Sequence, residues 1–117
     1  MIKVKRIYDL SLEQDGFRIL VDRLWPRGLK KENAAIDLWL KEIAPSTELR
    51  KWFNHEPKKW QEFKNKYFDE LSTNKALQVI VSAYDDNSTI TLLYAAHDQQ
   101  FNHALVLQSF LMTEIGS

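Results

Sequence analysis

The chain has 117 residues, which suits one domain with one hydrophobic core, and we treat residues 1–117 as a single unit. Its 16 Lys and Arg balance 16 Asp and Glu, and this neutral charge argues against a protein that mainly coats nucleic acid or acidic membranes. The sequence contains no cysteine, which excludes disulfides, thiolate nucleophiles and Cys-ligated zinc or iron–sulfur centres.

The sequence also lacks the features of secreted and membrane proteins. The N-terminal segment MIKVKRIYDL has no apolar core of the kind found in signal peptides. No apolar run approaches the ~20 residues that a membrane helix needs. We therefore expect a cytoplasmic protein with no membrane partner.

Two strands are predicted near the N-terminus. Residues 2–8 alternate with β-branched side chains, which is typical of a strand with one partly wet face. The connector that follows ends in Asp15-Gly16, a turn signal. Residues 18–22 form the second predicted strand, and its successive apolar residues indicate burial on both faces, as in the middle of a parallel sheet.

The middle of the chain predicts a short strand and then two helices. Residues 36–43 fit a short strand slightly better than a helical turn. Ser46 suits the N-cap of the next helix. Pro57 suits the first position of the following helix, whose apolar residues recur at helical spacing from Trp60 to Leu71.

Residues 75–84 fit either a helix or a strand. The β-branched residues Val79, Ile80 and Val81 favour a strand. We prefer a helix, because residues 89–96 are typical of a doubly buried strand, and such strands usually follow a helical crossover. Residues 99–114 form the last predicted helix. It is apolar nearly all round, so it must lie deep against the sheet or bury its outer face in a partner.

This order of elements predicts an α/β fold, a single three-layer domain with a small, mostly parallel sheet flanked by helices. In open α/β sheets, ligands bind beyond the carboxyl ends of the strands. The segments that leave such ends here are residues 22–28, 41–46 and 94–98. If the strands are parallel, these segments converge and form the candidate site.

Arginines dominate the first of these segments. Arg23 and Arg27 could hold a phosphate or carboxylate, because guanidinium groups bind such oxyanions with two hydrogen bonds. Arg50, the first turn of the helix that follows Ser46, and Lys41 could complete the anion site. The alternative is that Arg23 or Arg27 pairs with a carboxylate (Asp22, Asp37 or Asp98) and clamps the fold.

Other side chains near these strand ends could orient groups, move protons or form walls. Asp22, Asp98 and His103 are the candidate catalytic residues, although Asp98 also suits the start of the last helix. Trp25 and Tyr94 could wall a pocket, although Trp25 equally suits packing. Capping is a sufficient explanation for Ser46, which lacks the context of a nucleophile. His97 and His103 lack the spacing of metal ligands, so we predict neither a metal nor a cofactor.

Several runs together resemble a known family. They are residues 6–9 (RIYD), 20–28 (LVDRLWPRG), 44–46 (APS), 48–53 (ELRKWF), and 91–96 (TLLYAA) with Asp98 and 102–104 (NHA). They are similar to the YeaO-like group of the family called domain of unknown function 488, over nearly the whole chain. The resemblance implies a compact, bacterial-type cytoplasmic α/β domain and no assigned activity.

The chain departs from that family at two places. Other branches carry cysteines around the last strand and the following helix, where this chain has Tyr94 and Asn102, so thiol chemistry does not carry over. Close relatives often have Glu-His where this chain has Gln100 and Phe101. This difference weakens the hypothesis of a histidine-based metal site or acid/base role for the group.

The leading functional hypothesis is a site for an anionic small ligand (phosphate, nucleotide or carboxylate), in either a binding protein or an enzyme. The alternative is a non-enzymatic interaction module that forms a homodimer or binds a partner through the apolar C-terminal helix. Nucleic-acid binding ranks third because of the neutral net charge.

Overall fold

Parallel strands form one sheet at the centre of the protein. The computed structural model describes residues 1–115, and within them the strands are β1 (Ile2–Arg6), β2 (Phe17–Leu20), β3 (Leu38–Trp39) and β4 (Ile90–Tyr94). They lie in the order β1-β4-β2-β3, and every neighbouring pair is parallel. The two central strands carry the continuous apolar runs, because both of their faces are buried.

The α-helices of residues 1–115 are α1 (Thr47–Phe53), α2 (Trp60–Ser72), α3 (Leu77–Asn87) and α4 (His103–Glu114). Their order along the chain confirms the sequence prediction, and so does α3, the helix preferred over a strand for residues 75–84. The parallel pairing of β4 explains α3, because a parallel strand requires a long crossover. The predicted start of the last helix was wrong. Asn102 is its N-cap, because its side chain accepts a hydrogen bond from Leu105 N at 3.1 Å.

The two faces of the sheet are covered in different ways. All four helices contribute to the main core, together with the strand residues Ile19 and Leu92. Their neighbours Leu20 and Leu93 point to the opposite face and form a second, smaller cluster with Ile7. Loop side chains that include Trp25, Leu29 and Ile36 cover this cluster. The α/β class is therefore confirmed, and the layer on the second face consists of loops and short 3₁₀ turns.

The connections explain this division. From β1 to β2 to β3 the chain moves across the sheet in one direction, and it returns from β3 to β4. Right-handed crossovers in opposite directions lie on opposite faces. The long return carries α1, α2 and α3, so the helices gather on one face.

The apolar helix α4 packs within its own chain. It buries five side chains, those of Ala104, Val106, Leu107, Phe110 and Leu111, against α2 and the sheet. Gln108 Nε2 also donates to Ile2 O on β1 at 2.8 Å. Since the helix is covered in this way, its composition no longer favours the interaction-module alternative.

A buried polar network lies near the start of β2. Asp15 pairs with Arg18 and with Lys5, whose Nζ lies 3.1 Å from Asp15 Oδ2. Burial alone would raise the pKa of Asp15, but hydrogen bonds from Leu12 N, Lys5 and Arg18 outweigh it and lower the pKa. The following residue, Gly16, has a φ of 68°, which favours glycine.

Within residues 1–115, no helix has the length and apolar character that a bilayer span requires.

Candidate functional site

A cleft of about 530 Å³ opens at the carboxyl edge of the sheet. Its walls come from the loop after β2, the segment that leads into α1, α1 itself and the loop between β4 and α4. This is the location at which open parallel sheets bind ligands. Six of the predicted site residues line it: Asp22, Arg23, Trp25, Arg27, Arg50 and His103.

Arg23 joins the end of β2 to the segment before α1. Its Nη2 donates to Ala44 O at 3.1 Å and to Pro45 O at 3.2 Å. Its Nε is buried and has no hydrogen-bond partner among the described residues. Arg23 therefore does clamp the fold, but onto backbone carbonyls rather than onto the carboxylates that the sequence suggested.

Two side chains of α2 hold the same segment. Tyr67, fully buried, donates from its hydroxyl to Ile43 O at 2.7 Å, and burial raises its pKa well above the ordinary value. Glu70 accepts from Ser46 N at 2.9 Å and from Ser46 Oγ at 2.6 Å. Ser46 Oγ in turn accepts from Leu49 N at 3.1 Å, which confirms its predicted role as the N-cap of α1. Side chains of α2 and of the loop after β2 thus hold one wall of the cleft in place.

Asp22 and His103 meet on the cleft wall. His103 Nε2 lies 3.3 Å from Asp22 Oδ1 and 3.0 Å from Val21 O. Because a carbonyl oxygen only accepts hydrogen bonds, we assign the proton to Nε2, which leaves Nδ1 unprotonated in the neutral ring. The other carboxylate oxygen, Oδ2, accepts from Ala95 N at 3.0 Å. This pair therefore ties together the ends of β2 and β4 and the start of α4.

Burial raises the pKa of Asp22 above its ordinary value. The charge of His103, the hydrogen bond from Ala95 N and the charge of Arg50 act in the opposite direction, but they do not cancel the effect of burial. The carboxylate is therefore only partly compensated in its charged form.

The cleft is cationic although the whole chain is neutral. Among residues 1–115, four cations line it (Arg23, Arg27, Arg50 and Lys51) against one carboxylate, Asp22, so the net charge of this lining is +3 with neutral histidines. Among the described residues, the side chains of Arg27 and Arg50 make no hydrogen bond or ion pair, and both are exposed. Cations grouped around a concavity concentrate positive potential there.

Aromatic rings form the apolar part of the cleft. Phe53, Phe63 and Phe101 line it, with Trp25 in the loop after β2. Phe53 and Phe63 stack with their centroids 4.5 Å apart. Trp25 packs edge-on against Trp39 at 5.4 Å, and its Nε1 donates to Leu29 O at 2.6 Å. The cleft therefore combines cationic groups with rings that are already fixed by packing.

Four predicted site residues do not line this cleft. Lys41 is exposed, with its Nζ 5.3 Å above the Trp39 ring, and Ser46 serves as a cap. Tyr94 points into the main core with Ile90 and Leu92, since alternate residues of a strand share a face, and burial raises its pKa. Asp98 Oδ1 accepts from Gln100 N and Phe101 N at 2.9 and 3.0 Å, which lowers its pKa and closes a turn before α4.

Several residues that line the cleft are not among the predicted site residues: Lys51, Phe53, Asn54, His55, Phe63, Phe101 and Asn102. Phe53 and Phe63 carry the same apolar periodicity as any core residue, so their position beside the cleft has no local signal. Lys51 follows Arg50 directly and could have been included with it.

No group of three or more His, Asp or Glu side chains among residues 1–115 is arranged to hold a metal ion.

The chain is similar to bacterial proteins that have no assigned function. It is 46% identical over 110 residues to the uncharacterized protein YeaO of Escherichia coli strain K12, covering 94% of this chain and 96% of that protein. It is 36% identical over 110 residues to the uncharacterized protein Rv3073c of Mycobacterium tuberculosis strain H37Rv, covering 94% and 92%. No solved structure is significantly similar. The protein-family model described as the inactive DUF488-N3 subclade matches residues 1–117. The chain therefore belongs to this branch of the DUF488 family.

Proposed function

We propose that this protein binds an anionic small molecule in the cleft at the carboxyl edge of the sheet. The observation that carries the proposal is the charge of the lining, four cations against one carboxylate in a chain of zero net charge. An oxyanion such as a phosphate or carboxylate would satisfy these cations.

The cations divide into two roles in this proposal. Arg23 is fixed by its bonds to Ala44 O and Pro45 O, so it shapes the cleft and contributes a charge whose position is set. The exposed Arg27 and Arg50 supply the guanidinium groups that would contact the ligand, because planar guanidinium groups match the oxygens of such anions.

We further propose binding without turnover. The subclade to which the chain belongs is described as inactive, and the chain has no cysteine to act as a nucleophile. The Asp22 and His103 side chains are engaged in holding Ala95 N and Val21 O, which gives them a structural use that needs no reaction. Of the predicted catalytic residues, Asp98 is committed to its turn.

A thermal-shift screen of inorganic phosphate, sugar phosphates, nucleotides and small carboxylates tests the proposal. Binding to the folded state alone raises the melting temperature, so at least one anion should stabilise the wild-type protein. The variants Arg27→Ala and Arg50→Ala should lose that stabilisation.

The matched control is Lys75→Ala, which removes an exposed positive charge that does not line the cleft. It should respond to the anion as the wild-type protein does. A screen in which no anion stabilises the protein, or in which all three variants respond equally, contradicts the proposal.

A further inference from the structure

We infer that the anionic ligand carries a planar aromatic ring and is a nucleoside monophosphate. This inference rests on the proposed function and narrows it to one class of ligand. It comes from the aromatic residues of the cleft, which the binding of an oxyanion does not require.

The size of the cleft indicates a ligand larger than an oxyanion. Its volume of about 530 Å³ lies within the range of roughly 300–1,000 Å³ that holds small organic ligands. A phosphate group at Arg23, Arg27 and Arg50 would fill only a fraction of this space. The rest of the ligand must then contact the remaining lining, which includes four large aromatic rings, those of Trp25, Phe53, Phe63 and Phe101.

Ring contacts hold the three phenylalanines of the lining, and they run partly through Trp60, which does not itself line the cleft. Phe53 stacks on Phe63 at 4.5 Å, Phe63 stacks on Trp60 at 5.6 Å, and Trp60 meets Phe101 edge-on at 5.2 Å. Phe101 ends this series and is only half-buried, so part of its ring remains available to a ligand. Because each ring is fixed by the next, the protein loses little conformational entropy when a planar group binds.

Trp25 supplies a further ring of the lining. Its contact with Trp39 and its hydrogen bond to Leu29 O fix its orientation. A half-buried tryptophan beside two arginines, Arg23 and Arg27, places an aromatic surface next to the cationic groups. Aromatic side chains beside basic ones form the usual environment in which proteins bind bases and their phosphates.

A ligand with both an aromatic ring and an oxyanion uses the whole lining. A sugar phosphate would leave the aromatic surface in contact with water. A nucleoside would leave the cations without a partner. A nucleoside monophosphate supplies both groups, and its sugar separates them.

Calorimetric titration of the full chain with AMP, UMP, ribose 5-phosphate, adenosine and indole-3-acetate tests the inference. At least one of the nucleotides should bind about tenfold more tightly than ribose 5-phosphate, because base–aromatic stacking accounts for a difference of that order. Equal affinity for ribose 5-phosphate and both nucleotides overturns the inference and leaves the proposed function standing. Tighter binding of indole-3-acetate than of either nucleotide also overturns it, in favour of an aromatic carboxylate.

The failure of the proposed function gives a different result. If adenosine binds as tightly as AMP, the anion is not recognised and both proposals are wrong. The absence of binding by the nucleotides, ribose 5-phosphate and indole-3-acetate alike has the same meaning.

Two variants at one position test the stacking itself. Phe101→Leu should lower the affinity for the preferred nucleotide about tenfold and leave that for ribose 5-phosphate unchanged. Phe101→Tyr keeps the ring and should retain the affinity for the nucleotide. Circular dichroism shows whether each variant is folded. If the folded Phe101→Leu protein loses affinity equally for both ligands, or for neither, Phe101 does not stack on the base and the inference fails.

Discussion

Replacement of Arg23 by alanine should destabilise the protein and also weaken anion binding. The change removes the hydrogen bonds from Nη2 to Ala44 O and Pro45 O, which lie at 3.1 and 3.2 Å. Ala44 and Pro45 are both buried, so neither carbonyl readily gains water in exchange. The segment before α1 would keep its hydrogen bonds to Tyr67 and Glu70.

The expected loss of unfolding free energy is about 2–3 kcal/mol. A hydrogen bond from a charged donor contributes roughly 1.5–3 kcal/mol, and a buried carbonyl left unpaired costs roughly 1–3 kcal/mol. These two figures describe the same lost bonds and do not add. The substitution also removes Arg23 Nε, a buried donor that has no partner among the described residues. The loss of this unfavourable group places the expected loss of unfolding free energy near the lower end of the range of about 2–3 kcal/mol.

Arg27→Ala is the matched control for the effect on stability. Its side chain is exposed and forms no hydrogen bond or ion pair among the described residues, so its loss should change stability by less than about 0.5 kcal/mol. Equilibrium unfolding in urea measures both variants. If Arg23→Ala is as stable as Arg27→Ala, or if only Arg27→Ala is destabilised, our account of Arg23 as a clamp is wrong.

The remaining predictions concern Gly16, Asp15 and the Asp22–His103 pair. Gly16→Ala should lower the melting temperature markedly, because its Cβ would lie 2.3 Å from Thr89 O at a φ of 68°. Asp15→Asn should cost about 3–5 kcal/mol in urea unfolding by breaking buried ion pairs. Since the folded-state pKa of Asp15 is lowered, this difference should shrink as pH falls below its ordinary value of 3.8, and a constant difference would contradict it. His103→Gln should raise the pKa of Asp22 further, and an NMR titration that shows a fall would contradict this.

The sequence predicted the elements well where the hydrophobic pattern is strong. The doubly buried strands β2 and β4 were recognised from their continuous apolar runs. α3 was correctly predicted only because a parallel β4 requires a crossover, since its β-branched residues alone favoured a strand. That helices cover only one face follows from the strand order, which no local pattern contains.

The candidate site was predictable as far as strand ends indicate it. Asp22, Arg23 and Trp25 follow β2 directly, and Arg50 and His103 were chosen because other segments should converge there. Tyr94 was misplaced although its position was predictable, since it shares the parity of Ile90 and Leu92 and must face the core with them. The contacts of Tyr67 and Glu70 with residues 43–46 join positions far apart in the chain, and neither residue differs locally from other helix residues.

An NMR titration of the isotopically labelled protein with inorganic phosphate tests the cationic cleft most directly. Our account predicts saturable shifts of the signals of Arg23, Arg27 and Arg50, together with the backbone amides of residues 22–28 and 50–55. The signals of the exposed Lys75, which does not line the cleft, should not move. Shifts that avoid the three arginines, or shifts that grow linearly across the whole surface without saturation, would contradict the account.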